Sequence, residues 1–391
     1  MTIYHLSTRI NSNVPPDSLL YDLSIYRMDS DRNKHSLINV KQQPIQGNYE
    51  TLKHPTDNIG ESLSRIYIME VTLYRKTMLH THCVTSSPFT RMYTLEEFAT
   101  GKACSPVKRE NPCYFVSTGT SVLESEGGKI VKVNISKPER PFIAEQYPIG
   151  DPQDPFEKSI IEEQVNNRFN HITFPNQNTG SLCGPAAFFY CLQMDRPDVY
   201  AQAAKDLWQY GKTKIGELVI APGEGCRHPS GDFYDGPDPL ILGLDWLMLA
   251  SLRDSENSIM SFDTLDSPLA GITMWQTLTE WFEKVGYTKV FSNVGVTQAG
   301  IQGIRELNDY VEKGYKVVTL INDGLLENGR STLTVPTHWI IWKGPVTQDS
   351  DNNMHLNLFS WGEASDQIKT DTDISFFINR FYGGMVFKPV N

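Results

Sequence analysis

A chain of 391 residues with 39% hydrophobic side chains can build more than one core, and two domains are expected. The net charge of −11 is uneven: residues 1–150 hold 17 Lys and Arg against 15 Asp and Glu, residues 151–391 hold 18 against 31, and so acidic a surface is a poor partner for nucleic acid. The longest apolar run, Pro239 to Leu252, is broken by Asp245 and too short to span a bilayer.

Met1 to Arg9 lack the basic-then-apolar pattern of a secretory signal, and the six sparse cysteines (83, 104, 113, 183, 191 and 226) suit reduced thiols. The expectation is a protein that is cytoplasmic as made and, where exported, uses a signal-independent secretion system. Residues 1–60 are polar, with Pro15-Pro16 and no sustained period, and read as loops with short strands. Arg65 to Leu79 reads as a strand, and the apolar runs Cys113–Val116 and Ile130–Ile135 around Gly127-Gly128 suggest a hairpin. Residues 1–150 are thus expected to form a mainly β accessory domain. Within them His80-Thr81-His82-Cys83 looks like metal ligands that Cys104 and Cys113 would complete. The spacing fits no zinc module, and alternation along a strand places His80 and His82 on one face in any case. No metal or cofactor is expected, and no repeat or low-complexity segment is visible.

Five prolines (138, 141, 148, 152 and 155) between Lys137 and Pro155 predict an extended linker, and the boundary is placed at 150/151. Asp154-Pro155-Phe156-Glu157 predicts a capped helix running to Phe169. Further helices are expected from Cys183, over Asp198–Tyr210, Asp245–Leu252, Ser267–Val285 and Val296–Lys313. The Gly/Pro-rich stretch Ala221–Pro229, which holds Cys226 and His228, reads as a rigid loop. Strands follow over Tyr315–Ile321, Trp339–Trp342, His355–Phe359 and Met385–Phe387. Helices first and an antiparallel sheet afterwards make residues 151–391 an α+β domain.

The chemistry concentrates in Gln177-Asn178-Thr179-Gly180-Ser181-Leu182-Cys183-Gly184-Pro185, a glycine-marked turn ahead of an apolar helix. A helix N-terminus favours a thiolate, which makes Cys183 a candidate nucleophile, with Gly180 and Ser181 placed to cap. Gln177 can bring a side-chain amide beside the Cys183 N–H as an oxyanion donor. The candidate base is His338, at the mouth of the strand Thr337–Gly344; His171, His228 and His355 lack this placement.

Gln-x5-Cys before an apolar helix, then His338, then Ser360-Trp361-Gly362 on the next strand, resembles the papain-like cysteine peptidases, including the branch that acts on leader peptides. The resemblance covers roughly residues 155–391. It implies a papain-like fold and a cysteine hydrolase, peptidase or amidase, that cleaves an amide in a peptide, a protein or peptidoglycan through a thioester. The family has Asn where this chain has Phe359. Alternation along the strand makes Asn357 the candidate to orient His338, with Ser360 behind it and a bare Cys–His dyad as the alternative. Side-chain deamidation, acyl transfer and non-catalytic binding use the same fold, and an unfamiliar first domain resembles the architecture of bacterial effectors and toxins.

Overall fold

The computed structural model describes residues 2–10, 14–57, 59–76, 80–83, 88–103, 140–178, 181–256, 273–329, 331 and 334–389, and the chain divides into two units, Met1–Glu139 and Arg140–Asn391. Each is a mixture of helix and antiparallel sheet.

The first unit is built on β1 (Leu19–Met28), β2 (Lys34–Pro44), β3 (Ile66–Lys76), β4 (Thr81–Cys83), β5 (Phe89–Thr94) and the short helix α1 (Leu95–Ala99). Their order is β2-β1-β3-β4, and β5 also pairs with β3. Residues 1–60, expected to be loops, thus contain two of the longest strands. β1 runs between β2 and β3 with Leu19, Tyr21, Leu23 and Ile25 buried, and buried Asp22 interrupts its apolar pattern. Asp22 is satisfied there by Lys41, by the Gln42 N–H and by the Tyr74 hydroxyl. β2 keeps most side chains exposed, which removes the alternation that marks a half-buried strand. The expected hairpin over residues 113–135, and Cys104 and Cys113 with it, lie outside the described residues.

A short pattern does recur, contrary to the expectation of no repeat. Asp-Ser-Asp-x-Asn-x-His occupies 29–35, between β1 and β2, and again 349–355, in a small hairpin of the second unit. Both copies close the turn alike. The Asp Oδ1 accepts the Asn N–H at 2.8 and 2.9 Å, and the Asp Oδ2 meets the His Nε2 at 2.9 and 2.8 Å. The x before Asn takes the left-handed conformation, Arg32 at φ 65° and Asn352 at φ 67°. The histidine hydrogen bond is the largest cause that lowers each aspartate, Asp29 to about 2. The pattern is a self-sufficient turn clamp.

The second unit begins at Arg140 rather than at residue 151, and the proline-rich stretch belongs to it. Phe142, Ala144 and Phe156 are fully buried, and Arg140 clasps Asp154 through both guanidinium nitrogens at 2.8 and 3.1 Å. Main-chain bonds from Ile143 to Arg227 and from Glu145 to Pro229 tie the stretch down. The prolines keep the segment extended while apolar neighbours anchor it, so it is not a free linker. Asp154 is consequently occupied, and α2 (Lys158–Phe169) is capped by Glu157 instead.

Next come α3 (Cys183–Asp195), α4 (Pro197–Tyr210), a helical run from Gly243 that ends in α5 (Ser251–Glu256), and α6 (Trp275–Lys284). They are followed by β6 (Thr288–Ser292), α7 (Gly300–Val311), β7 (Lys316–Ile321), β8 (His338–Trp342), β9 (Asn357–Ser360), β10 (Glu363–Gln367), α8 (Ile374–Ile378) and β11 (Phe381–Lys388). The strands form one antiparallel sheet in the order β6-β11-β7-β8-β9-β10. Alternation divides its faces. Val317, Ile321, Ile340, Trp342 and Leu358 join Ile304 and Leu307 of α7 and Phe377 of α8 in one core. On the opposite face Tyr190 of α3 stacks on Phe359, centroids 3.9 Å apart, and Phe282 of α6 stacks on Phe387 at 4.2 Å. Exposed polar β10 gave no apolar signal in the sequence. Among the described residues no helix is long and apolar enough to cross a membrane.

Candidate functional site

Cys183 is the first residue of α3, as the glycine-marked turn implies, but Ser181 does not cap the helix. Leu182 is the N-cap and no side chain caps it. The first-turn N–H groups therefore stay free to face the thiol. The segment before it is anchored at Asp245, which binds Arg168 at 2.7 and 2.8 Å in a pair 1% exposed on each side and also accepts from the Asn176 main chain. Asn178 adds a side-chain bond to the Leu240 carbonyl.

The strand that carries His338 opens at the matching end. β8 pairs with β9 at Ile341↔Phe359 and Trp342↔Leu358, and the register of β9 against β10 shifts between Leu358 and Ser360. Trp361 at φ 42° and Gly362 at φ 80° make the two-residue turn between paired Ser360 and Glu363, and the extra residue of the register shift lies on β10. Gly362 is required twice over, because its conformation is left-handed and a Cβ there would lie 2.8 Å from the Asn176 side chain. The turn after β9 is thereby pressed against the segment that leads to Cys183.

Two of the residues expected from sequence, His338 and Ser360, are bonded here, and Cys183 meets the main chain beside His338. The Trp339 N–H, next to His338, faces the Cys183 thiol together with the Gly184 N–H, and both favour the thiolate. His338 Nε2 and Ser360 Oγ share a 2.8 Å hydrogen bond, and Trp361 stacks on the imidazole at 4.7 Å and 24°. Gln177, 6% exposed, has a buried Oε1 without a hydrogen-bond partner among the described residues.

Asn357 is not part of this group. It is exposed at the far end of β9, its Oδ1 accepting from Gln367 Nε2 at 3.2 Å and its carbonyl from the Lys343 N–H. The guide failed because Asn357 and Phe359 share the face opposite to His338: with Ile341 paired to Phe359, alternation puts Ser360 on the face of Ile340 and His338, while Phe359 packs against Tyr190. Ser360 takes the place given to Asn357.

Burial sets the electrostatics. His338 is 3% exposed, which depresses its pKa to about 4 against the opposing pull of Asp323, so the ring is neutral at pH 7. Asp323 is fixed by Thr337, whose hydroxyl donates to its Oδ1 at 2.6 Å. Cys183 is 4% exposed; burial raises its thiol, and the Trp339 and Gly184 N–H groups and the Arg253 charge counter it only in part. Cys191, fully buried deeper in α3, is pushed up by the same cause.

His171, His228 and Cys226 have structural partners. His171 lies 3.2 Å from the Gln193 carbonyl, His228 pairs with Glu224, and the Cys226 carbonyl accepts from Trp246. His80 and His82 contact each other edge to face and are exposed with Cys83, and among the described residues no three His, Cys, Asp or Glu form a metal-binding group. Sequence reading missed Arg253, Thr273 and Asp323, which sit at an unremarkable helix, after a stretch without pattern and in a turn. Only Asn322-Asp323-Gly324, a turn signature just after a strand, offered a signal. No family model, no curated protein and no solved structure matches this chain.

Proposed function

We propose that the second unit is a cysteine hydrolase of papain-like type acting on an amide or ester carbonyl. The observation that carries the reading is His338, a neutral imidazole held by Ser360 and covered by Trp361, on the strand whose next N–H faces a helix-terminal cysteine. Cys183 Sγ attacks the carbonyl carbon as its proton passes to His338, whose Nε2 is engaged by Ser360 and whose Nδ1 holds the lone pair. The Cys183 N–H and the Gln177 amide hold the oxyanion. Collapse breaks the carbon–nitrogen bond as His338 returns the proton to the leaving amine. Water then attacks the thioester, giving its proton to His338, and the thiol is restored. The donor for that role is the Gln177 Nε2–H group, while its buried, unpartnered Oε1 is an acceptor that a substrate N–H would satisfy. Peptide, protein or peptidoglycan amides are the substrate classes, and deamidation or acyl transfer would use the same steps with another leaving group or acceptor.

A second reading, a binding module without catalysis, is favoured by the 4% exposure of Cys183 and by Phe359 in place of an orienting amide. Incubation with p-nitrophenyl acetate separates the two. A hydrolase gives a burst of nitrophenolate equal to the Cys183 content followed by turnover, and a binding module gives neither.

A further inference from the structure

Among the described residues, few charged groups lie around Cys183. On α3 the first charged side chain is Asp195, at the far end of the helix and paired with Lys316 at 2.7 Å. From β8 comes His338, neutral at pH 7 and backed by Asp323. From α5 comes Arg253, half-buried. Its Nη1 donates to the Thr273 hydroxyl at 3.1 Å. Thr273 is fully buried and sits on the first turn of α3, where a Cβ added to Gly184 would lie 2.3 Å from its Oγ1. The Thr273 carbonyl accepts the Trp339 indole N–H at 2.9 Å. One threonine thus ties the guanidinium, the helix start and the histidine strand together.

Papain-like chemistry needs a thiolate at some stage, and a thiolate in so enclosed a place needs a cation. A histidine kept neutral by burial is a poor one, whereas a guanidinium keeps its proton at every working pH. The guanidinium and the thiol act on each other: Arg253 favours the thiolate and the thiolate favours the charged guanidinium, against the burial of both. We propose that Arg253 is the cation that stabilises the Cys183 thiolate as the thiol proton passes to neutral His338, so that the thiolate pairs with a guanidinium while His338 carries the proton to the leaving amine. This rests on Cys183 being the nucleophile. It assigns the two tasks usually given to one imidazole, charge partner and proton carrier, to residues on two different elements, α5 and β8. The pair outlasts a rise in pH because Arg253 does not titrate.

The test is the pH dependence of iodoacetamide labelling of Cys183 in the full chain, read by peptide mass spectrometry with Cys191 as the internal control. Arg253→Gln should raise the labelling midpoint by about one pH unit or more and slow labelling about tenfold at a fixed pH below it, because only the thiolate reacts. Arg253→Lys should restore most of the rate, and His338→Gln should leave the midpoint in place. A midpoint unmoved by Arg253→Gln, or moved instead by His338→Gln, overturns the proposal and leaves the nucleophile reading standing. Wild-type Cys183 that labels no faster than Cys191 at any pH removes the nucleophile and the role of Arg253 with it. If Arg253→Gln fails to fold by near-ultraviolet circular dichroism, Thr273→Val carries the test. It releases the guanidinium from its anchor without changing any charge, an upward shift is expected, and an unmoved midpoint overturns the proposal.

Discussion

Ser360→Ala tests the placement of His338 most closely. The serine hydroxyl is buried, with Ser360 1% exposed, and bonds the imidazole Nε2 at 2.8 Å. Its loss leaves a buried ring nitrogen unpaired, worth about 1–3 kcal/mol. At about 1.4 kcal/mol per tenfold in rate, that is a loss of roughly 5- to 150-fold. Trp361 stacked on the ring at 4.7 Å still restrains it, so the lower part of that range, about 5- to 30-fold, is expected. The assay is steady-state release of nitrophenolate from p-nitrophenyl acetate, since each turnover needs His338 to activate water. The iodoacetamide midpoint of Cys183 should stay put, which separates orientation of the base from charge on the thiol. Asn357→Ala, at an exposed strand end bonded to Gln367, should be silent in both assays. Unchanged turnover in Ser360→Ala, or a larger loss in Asn357→Ala, would refute the reasoning.

Phe359→Asn should cost about 2–4 kcal/mol in urea unfolding without raising the rate, because it removes a 2%-exposed ring stacked on Tyr190 and supplies an amide that Ser360 has already made redundant. A faster enzyme of unchanged stability would contradict this. Burial depresses His338 from 6.5 to about 4, so the unfolded chain takes up this proton first; the stabilisation is complete above pH 6.5 and is lost as the pH falls through about 4. The melting temperature should fall more steeply across that window in the wild type than in His338→Gln, and equal slopes would count against a buried neutral imidazole. A fragment 140–391 should fold alone, whereas one starting at 157 loses the Arg140–Asp154 clasp with Phe142 and Phe156 and should melt lower or not fold. Equal melting of the two would return the proline-rich stretch to linker status.

The mixed architecture was legible because the apolar runs over 316–321, 339–342 and 385–387 are short and bounded by turn residues, and because α7 has Ile304 and Leu307 at helical spacing. The elements that escaped are β1, flanked on both sides and holding buried Asp22, and β10, whose residues are mostly polar and never buried. The prolines of 138–155 signalled extended backbone, but a local pattern could not show that Phe142 and Phe156 anchor it. At the site the sequence pointed to Cys183 and His338 through their local settings, a helix start and a strand mouth. It could not give the orienting residue, because that depends on the register of β9 against β8, nor Arg253 and Thr273, which come to the start of α3 only through tertiary packing.

The central claim is that the Cys183 thiol forms a covalent acyl intermediate. Intact-mass and peptide mass spectrometry of the acid-quenched protein, taken within the burst after mixing with p-nitrophenyl acetate, tests it directly. The account predicts one acetyl group on the peptide that carries Cys183, none on Cys191, and neither adduct nor turnover in Cys183→Ala. The thermal stability of that variant should stay within about 1 kcal/mol of wild type, because only one sulfur atom is removed. An unmodified Cys183 alongside continued turnover, or turnover retained in Cys183→Ala, would contradict it.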